Sequence, residues 1–92
     1  MSVDIALPRR LDAATVSDMA AQLIGAALHD DMTLDASQTV HIGALGAQLL
    51  LSAQLTTQGN GGTFRLRAPN SRVRDQLSVM GLSQLSMPEN DR

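Results

Sequence analysis

Few residues in this chain have the types and spacing to do chemistry. Its two histidines, His29 and His41, lack any Cys, His or carboxylate partner at the short spacings that build a metal site, so no metal is expected. His29 falls where a helix should end, and a cation there suits the helix dipole; His41 lies in or beside a strand. Asp35 ends a strand, a place where carboxylates of open α/β folds face ligands, and Ser37 beside it fits a turn cap. Serines are plentiful, but none stands in a Ser-His-Asp order. A nucleophile elbow would need Ser between Gly43 and Gly46, and that stretch reads GALG. The glycines of GNGG, 59–62, precede a strand, whereas a phosphate cradle lies between a strand and a helix start. All seven basic residues are Arg, so neither a P-loop lysine nor a Schiff base can form. Arg65, Arg67, Arg72 and Arg74 cluster in sequence and read as a solvated face. Nucleotide or small-anion binding at Arg65, Arg67 and a helix N-terminus is the alternative. No catalytic group and no cofactor is expected.

What remains is VHIGALGAQLLL, Val40 to Leu51. It reads as a strand end, a tight turn at Gly43 and the first turns of an apolar helix. Gly46 and Ala47 let that helix approach its neighbours closely. Its first turn exposes unpaired N–H groups and a partial positive charge. The turn carries Gly, Ala and Leu, with no side chain able to react.

The totals narrow the class further. The chain has no cysteine, which excludes disulfides and thiol chemistry and suits a reducing compartment. Its net charge of −2 disfavours nonspecific nucleic-acid binding. Hydrophobic residues at 43 % and charged residues at 17 % match an ordinary globular domain of 92 residues with one core. Phe64 is the single aromatic, so that core must be aliphatic. No apolar run approaches the ~18 residues of a membrane span, and the start lacks a signal-peptide pattern. The expected location is the cytoplasm.

The elements that position the turn follow from periodicity. Val3, Ile5 and Leu7 alternate as in a strand; Pro8 ends it and Arg9-Arg10 lie in a turn. Asp12 is the expected N-cap of a first helix, about Ala13 to Leu28, with Leu11 and Val16 as its staple. Val16, Met19, Ala20, Leu23, Ile24 and Ala27 form one apolar stripe. Met32 to Ala36 is a short strand, and Thr39 to Ile42 extends it or pairs nearby. A second helix runs from Ala44 to about Thr57. After the Gly-rich turn, Thr63 to Ala68 alternates as a strand, with Phe64 and Leu66 facing inward. Asn70 caps a third helix with Val73, Leu77 and Met80 inward; Gly81 stops it, and Leu82 and Leu85 fold back. Residues 87–92 read as a frayed tail, and 1–86 as one domain without repeat or linker. The alternation of strands and helices predicts an α/β fold with at least partly parallel pairing.

Four pieces in order resemble the STAS domain, the fold of bacterial anti-sigma factor antagonists. LDAS (Leu34 to Ser37) is similar to the family's strand ending in Asp and Ser. IGALGAQLL is similar to its Ile-Asp-Ser-x-Gly-Leu segment at the second helix. GGTFRLRAPNSRVRDQL is similar to its Gly-Gly turn, strand, Pro-Ser turn and third helix, and VMGLSQL to its closing Gly-Leu. The resemblance covers about Thr33 to Leu85, and the N-terminal third fits more loosely.

The resemblance implies a mixed central sheet of about four strands with helices mainly on one side. It implies a non-enzymatic interaction domain whose contact face is Asp35, Ser37, His41, Gly43, Ala44, Leu45 and Gly46. In the family's switchable members, a Ser or Thr after an Asp at the second helix is phosphorylated, and the added charge breaks the partner complex. Carried over, the Asp falls on Gly43 and the phosphorylated residue on Ala44, so the switch has no hydroxyl here. Ser37 and Thr39 are the nearby hydroxyls left to serve as an alternative phosphosite. A bulky residue at Gly46 is expected to weaken partner binding without unfolding the domain. The implied partner is a kinase, an anti-sigma factor or a chemotaxis protein. An ATPase is the alternative, since similar small proteins are fixed subunits of phospholipid-moving ABC transporters. A homodimer through exposed aliphatic residues is a further expectation.

Overall fold

The computed structural model describes residues 2–28 and 31–86. The expectations for His29 and for the tail 87–92 lie outside these residues.

Strand β1 (Ser2–Ala6), β3 (Asp31–Asp35) and β5 (Phe64–Arg67) form one sheet in the order β1-β3-β5. Two further strands, β2 (Arg10–Leu11) and β4 (His41–Ile42), pair with each other in a separate ribbon. Every described pairing is parallel. The expected mixed sheet of about four strands is therefore corrected to three parallel strands plus a ribbon. The reason is local. Pro8 has no N–H to continue the β1 ladder. The chain then turns away, so that Arg10 pairs with His41 and Leu11 with Ile42. Arg10, expected in a turn, is thus in a strand. Thr39–Ile42, expected to extend β3 or pair nearby, contributes only its last two residues, and they pair with β2.

The period of two reads directly onto the sheet. One face sets Val3, Met32 and Phe64 in a row, then Ile5, Leu34 and Leu66. All but the partly buried Val3 lie in the core. The other face carries Asp4, Thr33 and Arg65, then Ala6, Asp35 and Arg67. Helix α1 (Val16–Ala27) touches β3 and packs along α2 (Ala44–Gly59), which touches β5. The helices cover the apolar face and leave the polar face open, as expected.

The core is aliphatic except for Phe64, with Leu11, Leu23, Leu50 and Leu77 fully buried. Helix α1 starts three residues later than expected. Asp12 Oδ1 accepts from the Ala14 N–H, and its carbonyl accepts from Thr15 and Val16. The Thr15 hydroxyl accepts from the Asp12 N–H and donates to the Arg10 carbonyl. Asp12 therefore organises a capping turn ahead of the helix instead of capping it directly. Strand β5 stops at Arg67 because Ala68 turns into the left-handed region at φ 57°. Helix α3 (Ser71–Val79) has the expected cap: Asn70 Oδ1 accepts from the Val73 N–H at 2.9 Å. The Asn70 amide also donates to the Thr39 carbonyl, fixing the loop that leads into β4. Leu85, in a 3-10 turn (Ser83–Ser86), folds back into the core.

Candidate functional site

The site is built where the β2–β4 ribbon delivers the chain into α2. Gly43 is the N-cap, in an extended conformation, and no side chain caps the helix. The Gly43 N–H donates to the Leu11 carbonyl at 2.9 Å, which seats the helix start on β2. Behind it, Gly46 lies against the same carbonyl. A Cβ there would stand 2.2 Å from the Leu11 oxygen and 2.8 Å from its Cγ. Gly46 is thus a buried packing position and cannot be part of a contact surface. The expectation that a bulky residue there spares the fold is corrected by this geometry.

The residues in front of the seat face water. Ala44 is exposed and Leu45 is 54 % exposed. Neither the first turn nor the last turn of α2 holds a charge. The free N–H groups of the first turn and the apolar Leu45 together form a surface that an anion or an apolar side chain can meet.

His41 and Ile42 are held by helix α3. Gln76 Oε1 accepts from the Ile42 N–H at 2.8 Å, and its amide nitrogen stands 3.1 Å from His41 Nδ1. Since Oε1 is the acceptor, the amide NH2 faces the ring and donates to Nδ1. The His41 proton then sits on Nε2. This clamp was not legible from pattern, since its partners lie 34 and 35 residues apart. Gln76→Leu removes the acceptor for a part-buried N–H. A loss of about 1–3 kcal/mol is expected in urea unfolding.

Beside the clamp lies an open groove of about 520 Å³, lined by Ile42, Arg72, Asp75, Gln76, Val79 and Met80 among others. Val79 is 87 % exposed. The sequence held a signal for it: Val79 falls off the inward stripe of Val73, Leu77 and Met80, so the helical period points it outward.

Asp35 and Ser37 form a second group, at the carboxyl end of β3. Asp35 Oδ1 accepts from the Ser37 N–H at 2.9 Å, and Oδ2 lies 3.4 Å from the Arg67 guanidinium. Arg67 also stands 3.7 Å from Asp4 on the same open sheet face. The Ser37 N–H and hydroxyl, followed by Arg67, hold the Asp35 carboxyl below its ordinary value of 3.8. A lowered carboxylate stabilises the fold above its unfolded pKa, and this contribution is lost as pH falls through the folded value. The stability gap between wild type and Asp35→Asn should therefore be constant near neutrality and close below about pH 4. Unfolding series in urea at stepped pH would show it. Arg67, expected on a solvated face, thus has two carboxylates beside it.

The loop joining the two groups is closed. Thr39 is fully buried, and its hydroxyl donates to the Pro8 carbonyl at 2.8 Å. It is shut away from a kinase in the folded chain, whereas Ser37 is exposed. Among the described residues, no group of three or more metal-ligating side chains occurs. No described helix is long and apolar enough to cross a membrane.

No curated protein matches the chain. The sequence profile of a domain family described as "Mlab, STAS domain" matches residues 2–88, nearly the whole length. Domains of this family generally regulate through contact with other proteins, and this chain belongs to the STAS domain family.

Proposed function

We propose that this chain is a cytoplasmic, non-enzymatic adaptor that docks a regulatory protein through the start of α2. The observation that carries the reading is the uncapped N-terminus at Gly43 with Ala44 and Leu45 exposed in front of it. A large aliphatic residue half in water, beside free N–H groups, does nothing for the fold itself. The neighbouring groove, with Val79 in solvent, extends an apolar surface along α3. His41 and Gly43 shape the entry, and Gly46 sets the depth at which the helix sits. Asp35 and Ser37 border the face from the sheet edge.

Ala44 stands at the position where switchable members of the family carry the phosphorylated hydroxyl. Docking here is therefore constitutive with respect to that switch. The partner classes that fit are a kinase, an anti-sigma factor or a chemotaxis protein. A missing hydroxyl equally suits a fixed subunit of a phospholipid-moving ABC complex, which would use the same face to hold an ATPase. Affinity capture with the full chain, read by mass spectrometry, separates the two. A signalling protein supports the adaptor; an ABC ATPase replaces it with the transporter subunit.

A further inference from the structure

No Asp, Glu, Lys, Arg or His occurs between His41 and Arg65, and all of α2 lies inside that stretch. An exposed helix face without charge is unusual on a domain whose other surfaces carry arginines and aspartates. Besides its end residues Ala44, Gln58 and Gly59, the exposed residues of α2 are Leu45, Gln48, Ser52 and Leu55, with the two leucines at 54 % and 59 %. At 3.6 residues per turn they fall within an arc of about 80°. Among the described residues, nothing covers them.

Their order is symmetric. Leu45 and Gln48 precede Leu50 by the same steps at which Leu55 and Ser52 follow it. Two copies packed antiparallel, with the twofold axis at Leu50, set Leu45 against Leu55 twice and Gln48 against Ser52 twice. That is the self-complementarity an isologous contact demands. Leucine meets leucine at both ends, and amide meets hydroxyl in the middle. No like charges oppose one another, because there are none.

The helix dipoles choose the direction. Neither end of α2 carries a charged side chain to offset its terminal partial charges. Parallel packing would set two uncapped positive ends together. Antiparallel packing sets each against the negative end of the other.

We propose that a second copy of this chain covers the outer face of α2, in an antiparallel pair centred on Leu50. Sixteen residues of helix span about 24 Å, so the contact buries less than the ~1,200 Å² of a stable interface. The dimer is weak and depends on concentration. Leu45 belongs both to this contact and to the proposed partner face, so the two exclude each other, although the self-contact stands without the partner reading.

The absence of cysteine makes the register testable, since an introduced thiol is the only one present. Leu45→Cys and Leu55→Cys are purified separately and oxidised alone and mixed, with Asp18→Cys on α1 as the collision control. The antiparallel pair predicts a disulfide-linked dimer in the mixture, well above the control, and little in either variant alone. Like positions lie ten residues apart along the axis, about 15 Å, beyond disulfide reach. Equal cross-linking in single and mixed samples, or none above the control, overturns the register. Each cysteine also removes a leucine from the contact, so sedimentation equilibrium of the unaltered chain is the second measurement. Its mass should rise toward two copies with concentration, and Leu55→Arg should hold it at one. A mass of one copy throughout overturns the dimer.

Discussion

Gly46→Ala costs the fold about 3 kcal/mol, and Gly46→Val leaves no folded population at ordinary temperature. The new methyl would sit 2.2 Å from the Leu11 oxygen, a distance that no Cβ tolerates. The obstacle is backbone, so no rotamer relieves it. That oxygen cannot retreat either: it accepts the Gly43 N–H, and Leu11 is fully buried and paired with Ile42. Helix α2 must lift from β2, exposing part of the face that carries Ala47 and Leu50. Urea unfolding measures the loss. A variant within about 0.5 kcal/mol of wild type would mean that α2 does not sit on Leu11 at all.

Ala44→Asp should act in the opposite way, sparing the fold and removing the partner. Ala44 is the first residue of α2 and is exposed. A carboxylate in the first turn of a helix is worth about 0.3–1 kcal/mol of stability, since it faces the free N–H groups. Asp12 is near the Gly43 Cα, but its carboxylate accepts from Ala14 and lies 3.3 Å from the Arg10 guanidinium, which limits repulsion. Stability therefore changes by no more than about 1 kcal/mol. Under a docked partner, the same carboxylate loses its water beside the apolar Leu45. A buried, unpaired charge costs at least about 2 kcal/mol, roughly thirtyfold in affinity. Gly46 and Ala44 thus separate what the fold needs from what the surface offers: one variant fails in urea, the other only in binding.

Much of this was readable from sequence, for reasons that mark where reading stops. β1, β3 and β5 announce themselves because one sheet face is buried and the other open, so Val3-Ile5 and Phe64-Leu66 alternate cleanly. Asn70 could be named as a cap because it acts on a residue three positions away. The β2–β4 ribbon could not be seen, since two residues have no period and their pairing joins Arg10 to His41 across the whole of α1. That missed ribbon also explains the misplaced Gly46. The sequence indicates a close approach there, but only the position of Leu11 turns it from a surface residue into a seat. The Asp35–Arg67 pair needs the β3–β5 register, and the Gln76 clamp needs the α3–β4 contact. Neither leaves a local mark. Leu45, by contrast, sits at the helix start and is left exposed among the described residues.

The most direct test of the docking face is a capture from native cell extract with the full chain, wild type beside Ala44→Asp, read by quantitative mass spectrometry. Circular dichroism first establishes that both are folded. The account predicts a signalling protein of the kinase, anti-sigma or chemotaxis kind, held by wild type and depleted roughly thirtyfold or more in the variant. The same proteins held equally by both would contradict it and remove the start of α2 from the function of this domain.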